Sequence, residues 1–172
     1  MIKKADFFYT LLFLINFPLH FVSHSFAVPR INEVMSNNES IVADMDGDFS
    51  DWVEIYNPDE EDINLEGYFL TDNSNNLTKW TFPKVILKSG EYLIVFASGK
   101  EKNFQIEPDE IHADFELSSS GEYLGLISPD GKTVVSEIAP KFEKQNDDES
   151  YGLGVWGEAE SVVLVQDNSF LS

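Results

Sequence analysis

The chain has 172 residues, a formal net charge of −20, 13% aromatic residues and no cysteine. The acidic surplus excludes nucleic acid, whose phosphates recruit Lys and Arg, and docking on anionic lipid. The missing thiols exclude disulfide staples, cysteine nucleophiles and thiolate metal sites, and aromatic residues inside alternating apolar runs exclude a disordered chain.

Lys3 and Lys4 precede an almost continuous apolar run from Phe7 to Phe21, and Ser25-Phe26-Ala27 supplies small residues for a cleavage site. This is the three-part pattern of a secretory signal peptide over Met1 to Ala27. The run is broken by Asn16 and Pro18 and falls short of the ~20 residues a spanning helix needs. A secreted or cell-surface location is therefore expected, with no membrane insertion after cleavage. The exported part keeps nine basic and thirty acidic residues, a net charge of −21.

Short apolar or alternating runs then recur, each closed by turn residues. They are Ile31 to Met35, Trp52 to Tyr56, Tyr68 to Leu70, Lys79 to Phe82, Tyr92 to Ala97 and, more loosely, Ile111 to Leu117. Tyr123 to Ile127 and Thr133 to Ile138 flank Pro129-Asp130-Gly131 and read as a hairpin. Glu101 to Glu110 and Lys141 to Glu149 are polar and read as loops. Ser150-Tyr151-Gly152 reads as structured, and Val162 to Val165 as one more strand. No segment after the leader sustains apolar positions at helical spacing. Short strands at this spacing predict an all-β sandwich or barrel.

Candidate chemistry concentrates in "DMDGDFSDW". Asp44, Asp46 and Asp48 alternate as oxygen ligands do at the start of a calcium loop. The helix-loop-helix calcium motif also needs glycine at position 6 and glutamate at position 12, and Phe49 and Ile55 stand there. A looser Ca²⁺ site from Asp44, Asp46, Asp48 and Asp51, or Glu54, stays open beside a polar turn with Gly47 at positive φ. Paired glycosidase acids need a cleft and one raised pKa, which an exposed acidic turn does not offer.

His112 is the one histidine beyond the leader, so histidine-rich zinc sites are excluded, and the sequence names no partners for it. "LSSSGE" lacks the nucleophile elbow and reads as a Ser-rich hairpin turn. Trp52, Phe69, Trp80, Tyr92 and Phe96 lie in strands, where burial is the default. Trp156, beside two glycines, reads either as a sugar-stacking platform or as the start of a following region.

The stretches "INEVMSNN", "DMDGDFSDWVEIYNP", "INLEGYFLTDNSNNLTKWTFP", "LKSGEYLIVFASGK", "LSSSGEYLGLISPDG" and "ESYG" agree in order and spacing with one family. From Arg30 to about Gly154 the chain resembles a bacterial lamin-tail domain. The resemblance implies an immunoglobulin-like β-sandwich. Val53 and Ile55 would face opposite to Trp52, Glu54 and Tyr56, Ile63 and Leu65 would pack inward, and Trp80 and Phe82 would share a face. The expected organisation is a signal peptide at 1–27, the β-sandwich at 28–154, and an extra strand or the start of a truncated following region at 155–172.

The resemblance implies a non-catalytic, secreted or cell-surface module for binding, adhesion or targeting, without a catalytic residue. Its partner would be a protein or carbohydrate at the cell surface, and Ca²⁺ is the one candidate ion. The alternatives are a calcium-dependent carbohydrate-binding module, or the N-terminal accessory domain of a larger exported hydrolase. In such a domain the acceptor patterns at Asn38 and Asn76 read as chance matches to N-glycosylation sites.

Overall fold

The computed structural model describes residues 28–100, 110–153 and 159–163. The leader, most of the Glu101 to Glu110 segment and Trp156 lie outside them. In chain order the strands are β1 (Arg30–Met35), β2 (Asp51–Tyr56), β3 (Ile63–Asn64), β4 (Phe69–Thr71), β5 (Trp80–Thr81) and β6 (Ile86–Leu87). They continue with β7 (Tyr92–Ala97), β8 (Ile111–Ala113), β9 (Leu124–Ile127), β10 (Val134–Ile138), β11 (Glu149–Leu153) and β12 (Ala159–Val163). No helix forms among the described residues.

A six-stranded sheet, ordered β12-β11-β1-β2-β7-β8, and a four-stranded sheet, ordered β10-β9-β4-β5, make an immunoglobulin-like β-sandwich. A two-stranded pair, β3-β6, accompanies them. All pairings are antiparallel except β7 with β8. The Ile31 backbone N–H donates to Ser136 Oγ at 3.1 Å, joining β1 to β10 in the other sheet.

Alternation decides which side chains meet in the core. Val53, Ile55 and Val95 face inward with Leu70, Leu124 and Leu126 of the opposite sheet. In β1, however, Ile31 and Val34 both reach the core, although strict alternation would separate them. The register shift between Ile31 and Glu33 resolves this: an extra residue at Asn32 reverses the facing of the rest of the strand. The expected placements hold for Ile63 and Leu65, both buried, and for Trp80 and Phe82, whose rings meet edge to face at 4.8 Å.

Three expectations shift. β8 stops at Ala113, and "LSSSGE" does not close a hairpin but leads the chain from the six-stranded sheet to β9 in the other. The last described strand, Ala159–Val163, starts before the expected Val162 and pairs with β11, and positions 164 and 165 of the expected strand lie outside the described residues. The polar Lys141 to Glu149 segment is a loop with a buried interior: Phe142 is fully buried, and Gln145 hydrogen-bonds to β1.

Candidate functional site

One row of side chains crosses the outer face of the six-stranded sheet. Met35 stands opposite Trp52, Trp52 opposite Phe96, and Phe96 opposite His112. Met35, Trp52 and Phe96 form an apolar cluster outside the main core, closed by Ile41 and Val42 of the loop between β1 and β2. His112 ends the row, its ring stacked on Phe96 with centroids 5.4 Å apart. The same loop carries the acidic turn, so packing over this row brings the aspartates next to the histidine.

Asn38 shapes the loop. Its Nδ2 donates to the carbonyls of Val42 and Ser50 at 2.7 and 2.8 Å, and its Oδ1 accepts from the N–H groups of Ile41 and Val42. An amide so committed is not offered for glycosylation. Gly47 takes φ +85 and donates its N–H to the Asp44 carbonyl at 2.8 Å, closing the turn.

Asp44 is the centre of the turn, with its side chain fully buried. Oδ1 accepts the N–H groups of Asp46 and Asp48, both at 3.0 Å. Oδ2 accepts Ser50 Oγ at 3.2 Å and the Lys100 ammonium. Lys100 also reaches Asp46 Oδ2 at 3.1 Å and Asp48 Oδ2 at 2.9 Å. Burial alone would raise the Asp44 pKa, but the Lys100 ammonium and the backbone donors outweigh it and bring it down to about 2. The same contacts overcome the burial of Lys100 and hold its pKa above the ordinary lysine value.

His112 is buried between two partners. Its Nδ1 lies 2.8 Å from Ser98 Oγ, and its Nε2 meets Glu110 Oε1. Glu110 Oε2 in turn accepts the Met45 N–H at 2.7 Å, which ties β8 to the acidic turn. Ligand atoms of Asp44, Glu110 and His112 lie within 4.8 Å of one another, as do those of Asp44, Asp46 and Asp48.

Asp51 joins neither group. It starts β2, accepts backbone N–H groups from Asn38 and Leu117, and feels Glu116 and Glu122. Burial, reinforced by those two carboxylates, pushes its pKa up to about 6 against the pull of the two N–H groups. Glu54 also stands apart, accepting Asn32 Nδ2 at 2.8 Å, with its pKa raised by burial.

Lys100, Glu110 and Ser98 are the site residues that sequence reading missed. Lys100 and Ser98 close the "YLIVFASGK" strand, and only its pairing with β2 and β8 brings them to the acidic turn. The available signal was that a cation, Lys100, follows β7 closely in a chain of −20.

The outer face holds a second feature. Tyr56 and Tyr92 are cross-strand partners with stacked rings, centroids 4.4 Å apart, and Tyr92 is 56% exposed rather than buried as expected, because it alternates onto the outer face. The Arg30 guanidinium lies 4.9 Å from the centre of the Tyr56 ring.

No curated protein matches the chain. The family model of the lamin tail domain matches residues 23–141, more than half of its length. The chain belongs to the lamin tail domain family, whose domain has the immunoglobulin-like fold described above.

Proposed function

We propose that the protein is an exported, non-catalytic binding module that takes carbohydrate at the cell surface through the Tyr56–Tyr92 platform. The observation that carries the non-catalytic reading is at Ser98, the one serine among the described residues placed against the histidine. An acyl-transfer serine needs free N–H donors beside it to hold an oxyanion. Here the Gly99 N–H donates to the Phe115 carbonyl at 3.1 Å, and the Lys100 N–H to Ser98 Oγ itself at 3.3 Å. The Ser98–His112–Glu110 chain therefore reads as a structural hydrogen-bond relay.

The platform supports the carbohydrate reading. Tyr92 presents an exposed ring at the start of β7, where that strand is paired to β2, and aromatic faces of this kind take the C–H face of a sugar ring while the hydroxyl stays wet. The strongly acidic chain disfavours anionic partners and leaves neutral glycans or basic proteins. A glycan array with the wild type and Tyr92→Ala tests this: binding lost in the variant supports the reading. Ester hydrolysis by the wild type that disappears in Ser98→Ala would overturn the non-catalytic part. N-terminal sequencing of protein recovered outside the cell, beginning at Val28, tests export.

A calcium-dependent form of the same reading is favoured by the close approach of Asp44, Asp46 and Asp48. In it Ca²⁺ takes the place of the Lys100 ammonium. Glycan binding abolished by chelator and restored by CaCl₂ is its test.

A further inference from the structure

We propose that Asp44, Glu110 and His112 form a binding site for a divalent transition-metal ion of the zinc class, and that Lys100 is the counter-ion of the metal-free protein. Two of the three ligands are buried and the third is half-buried, and their ligand atoms already lie within 4.8 Å of one another. They come from two separate parts of the chain, the turn before β2 and the start of β8, which meet because the loop packs over the Phe96–His112 row.

Each ligand is oriented by a contact on its other polar atom. His112 Nδ1 is held by Ser98 Oγ at 2.8 Å, Glu110 Oε2 by the Met45 N–H at 2.7 Å, and Asp44 Oδ1 by two N–H groups at 3.0 Å. Histidines that bind metal keep their second ring nitrogen hydrogen-bonded, as Nδ1 is here to Ser98 Oγ. What remains is Nε2 of His112, Oε1 of Glu110 and Oδ2 of Asp44. The first two face each other, and the third meets Lys100. A polar turn that only capped its own backbone would not need the buried imidazole and glutamate aimed at it.

The donor set selects the ion. Ca²⁺ prefers oxygen alone, whereas an imidazole nitrogen with two carboxylates suits Zn²⁺ and its neighbours. Binding would place the ring proton on Nδ1, where Ser98 Oγ can accept it, and would free Asp44 from Lys100, whose ammonium keeps Asp46 and Asp48 at 3.1 and 2.9 Å. Three protein ligands leave a fourth position for water or for a group from a partner.

Calorimetric titration of the full chain with ZnCl₂, and in parallel with CaCl₂, tests the proposal. One equivalent of zinc should bind, and more tightly than calcium. Glu110→Gln and Ser98→Ala, chosen because His112 ends a buried row and its removal endangers folding, should each weaken zinc by about tenfold or more. Lys100→Met should lower the melting temperature without metal and regain it with ZnCl₂. Absence of zinc binding by the wild type overturns the proposal, as does calcium binding tighter than zinc. So does zinc binding that Glu110→Gln and Ser98→Ala leave unchanged, because exposed carboxylates alone would then account for it.

Discussion

The ammonium of Lys100 is the counter-ion of the buried Asp44 carboxylate, 56 residues earlier in the chain. Breaking a buried pair from one side leaves the other charge uncompensated. Asp44 keeps its backbone donors and Lys100 is 23% exposed, so the cost is at the lower end of that class. Lys100→Ala should destabilise the domain by about 2–3 kcal/mol in urea unfolding. Adding Asp44→Asn should recover part of the loss, and strictly additive effects would show that the two groups are not coupled.

Asp51 and Asp44 should respond to pH in opposite directions. The folded pKa of Asp51 is about 6, above its ordinary 3.8. Between those values the folded state holds a proton that the unfolded chain has lost, so stability falls as pH rises from about 4 to about 6. The folded pKa of Asp44 is about 2, below 3.8, so its contribution is complete above about 4 and is lost as pH falls toward 2. Asp51→Asn should remove about 1 kcal/mol of the wild type's loss between pH 4.5 and 7.5, after allowance for solvent screening. Parallel unfolding curves at the two pH values measure it, and an unchanged difference would remove Asp51 as the titrating group.

Gln145 stands in for a strand at β1. Its Oε1 accepts the Ser36 N–H at 2.6 Å and Ser36 Oγ at 3.0 Å, and its Nε2 donates to the Val34 carbonyl at 3.0 Å. All of these groups are buried, so truncation strands backbone polar atoms away from water. Gln145→Ala should cost about 2–4 kcal/mol in denaturant unfolding. Exchange protection at the Ser36 amide should fall in the same variant.

Gly121 and Gly47 both take positive φ but should tolerate alanine differently. A Cβ on Gly121 would stand 2.0 Å from the Phe142 carbonyl oxygen, whereas one on Gly47 would meet nothing within 4 Å. Gly47→Ala carries only the left-handed backbone penalty, about 1 kcal/mol. Gly121→Ala must also push the 142 backbone away and should cost about 3 kcal/mol or more. Melting temperatures of the two variants decide it, and similar losses would contradict the close approach.

The strands were legible wherever alternation and turn residues coincided. Tyr92–Ala97 was read with its observed bounds, and β2 and β9 within a residue. The two-residue β3 and β6 escaped because strands of that length carry no period and, unlike β5, they do not lie inside a longer alternating run. Gln145 and Phe142 escaped because a polar run conceals single inward residues. At the candidate site the acidic turn was visible as a local pattern, since three aspartates within five positions need no fold to be noticed. Its separation from Asp51 was not visible, because Asp51 already belongs to β2 and follows that strand's facing.

By itself, the sequence determined the all-β class, the lamin-tail pattern, the acidic character and the location of the turn. The class, the acidic character and the turn follow from composition, period-two alternation and turn chemistry, which act within a few residues, whereas the lamin-tail pattern rests on a resemblance of motifs in order and spacing. Tertiary structure alone decided that Lys100 neutralises Asp44, and that Glu110, His112 and Ser98 line up beside it. Those contacts join residues 14 to 65 positions apart. They depend on strand order and on a one-residue bulge in β1, and neither can be read from local propensity.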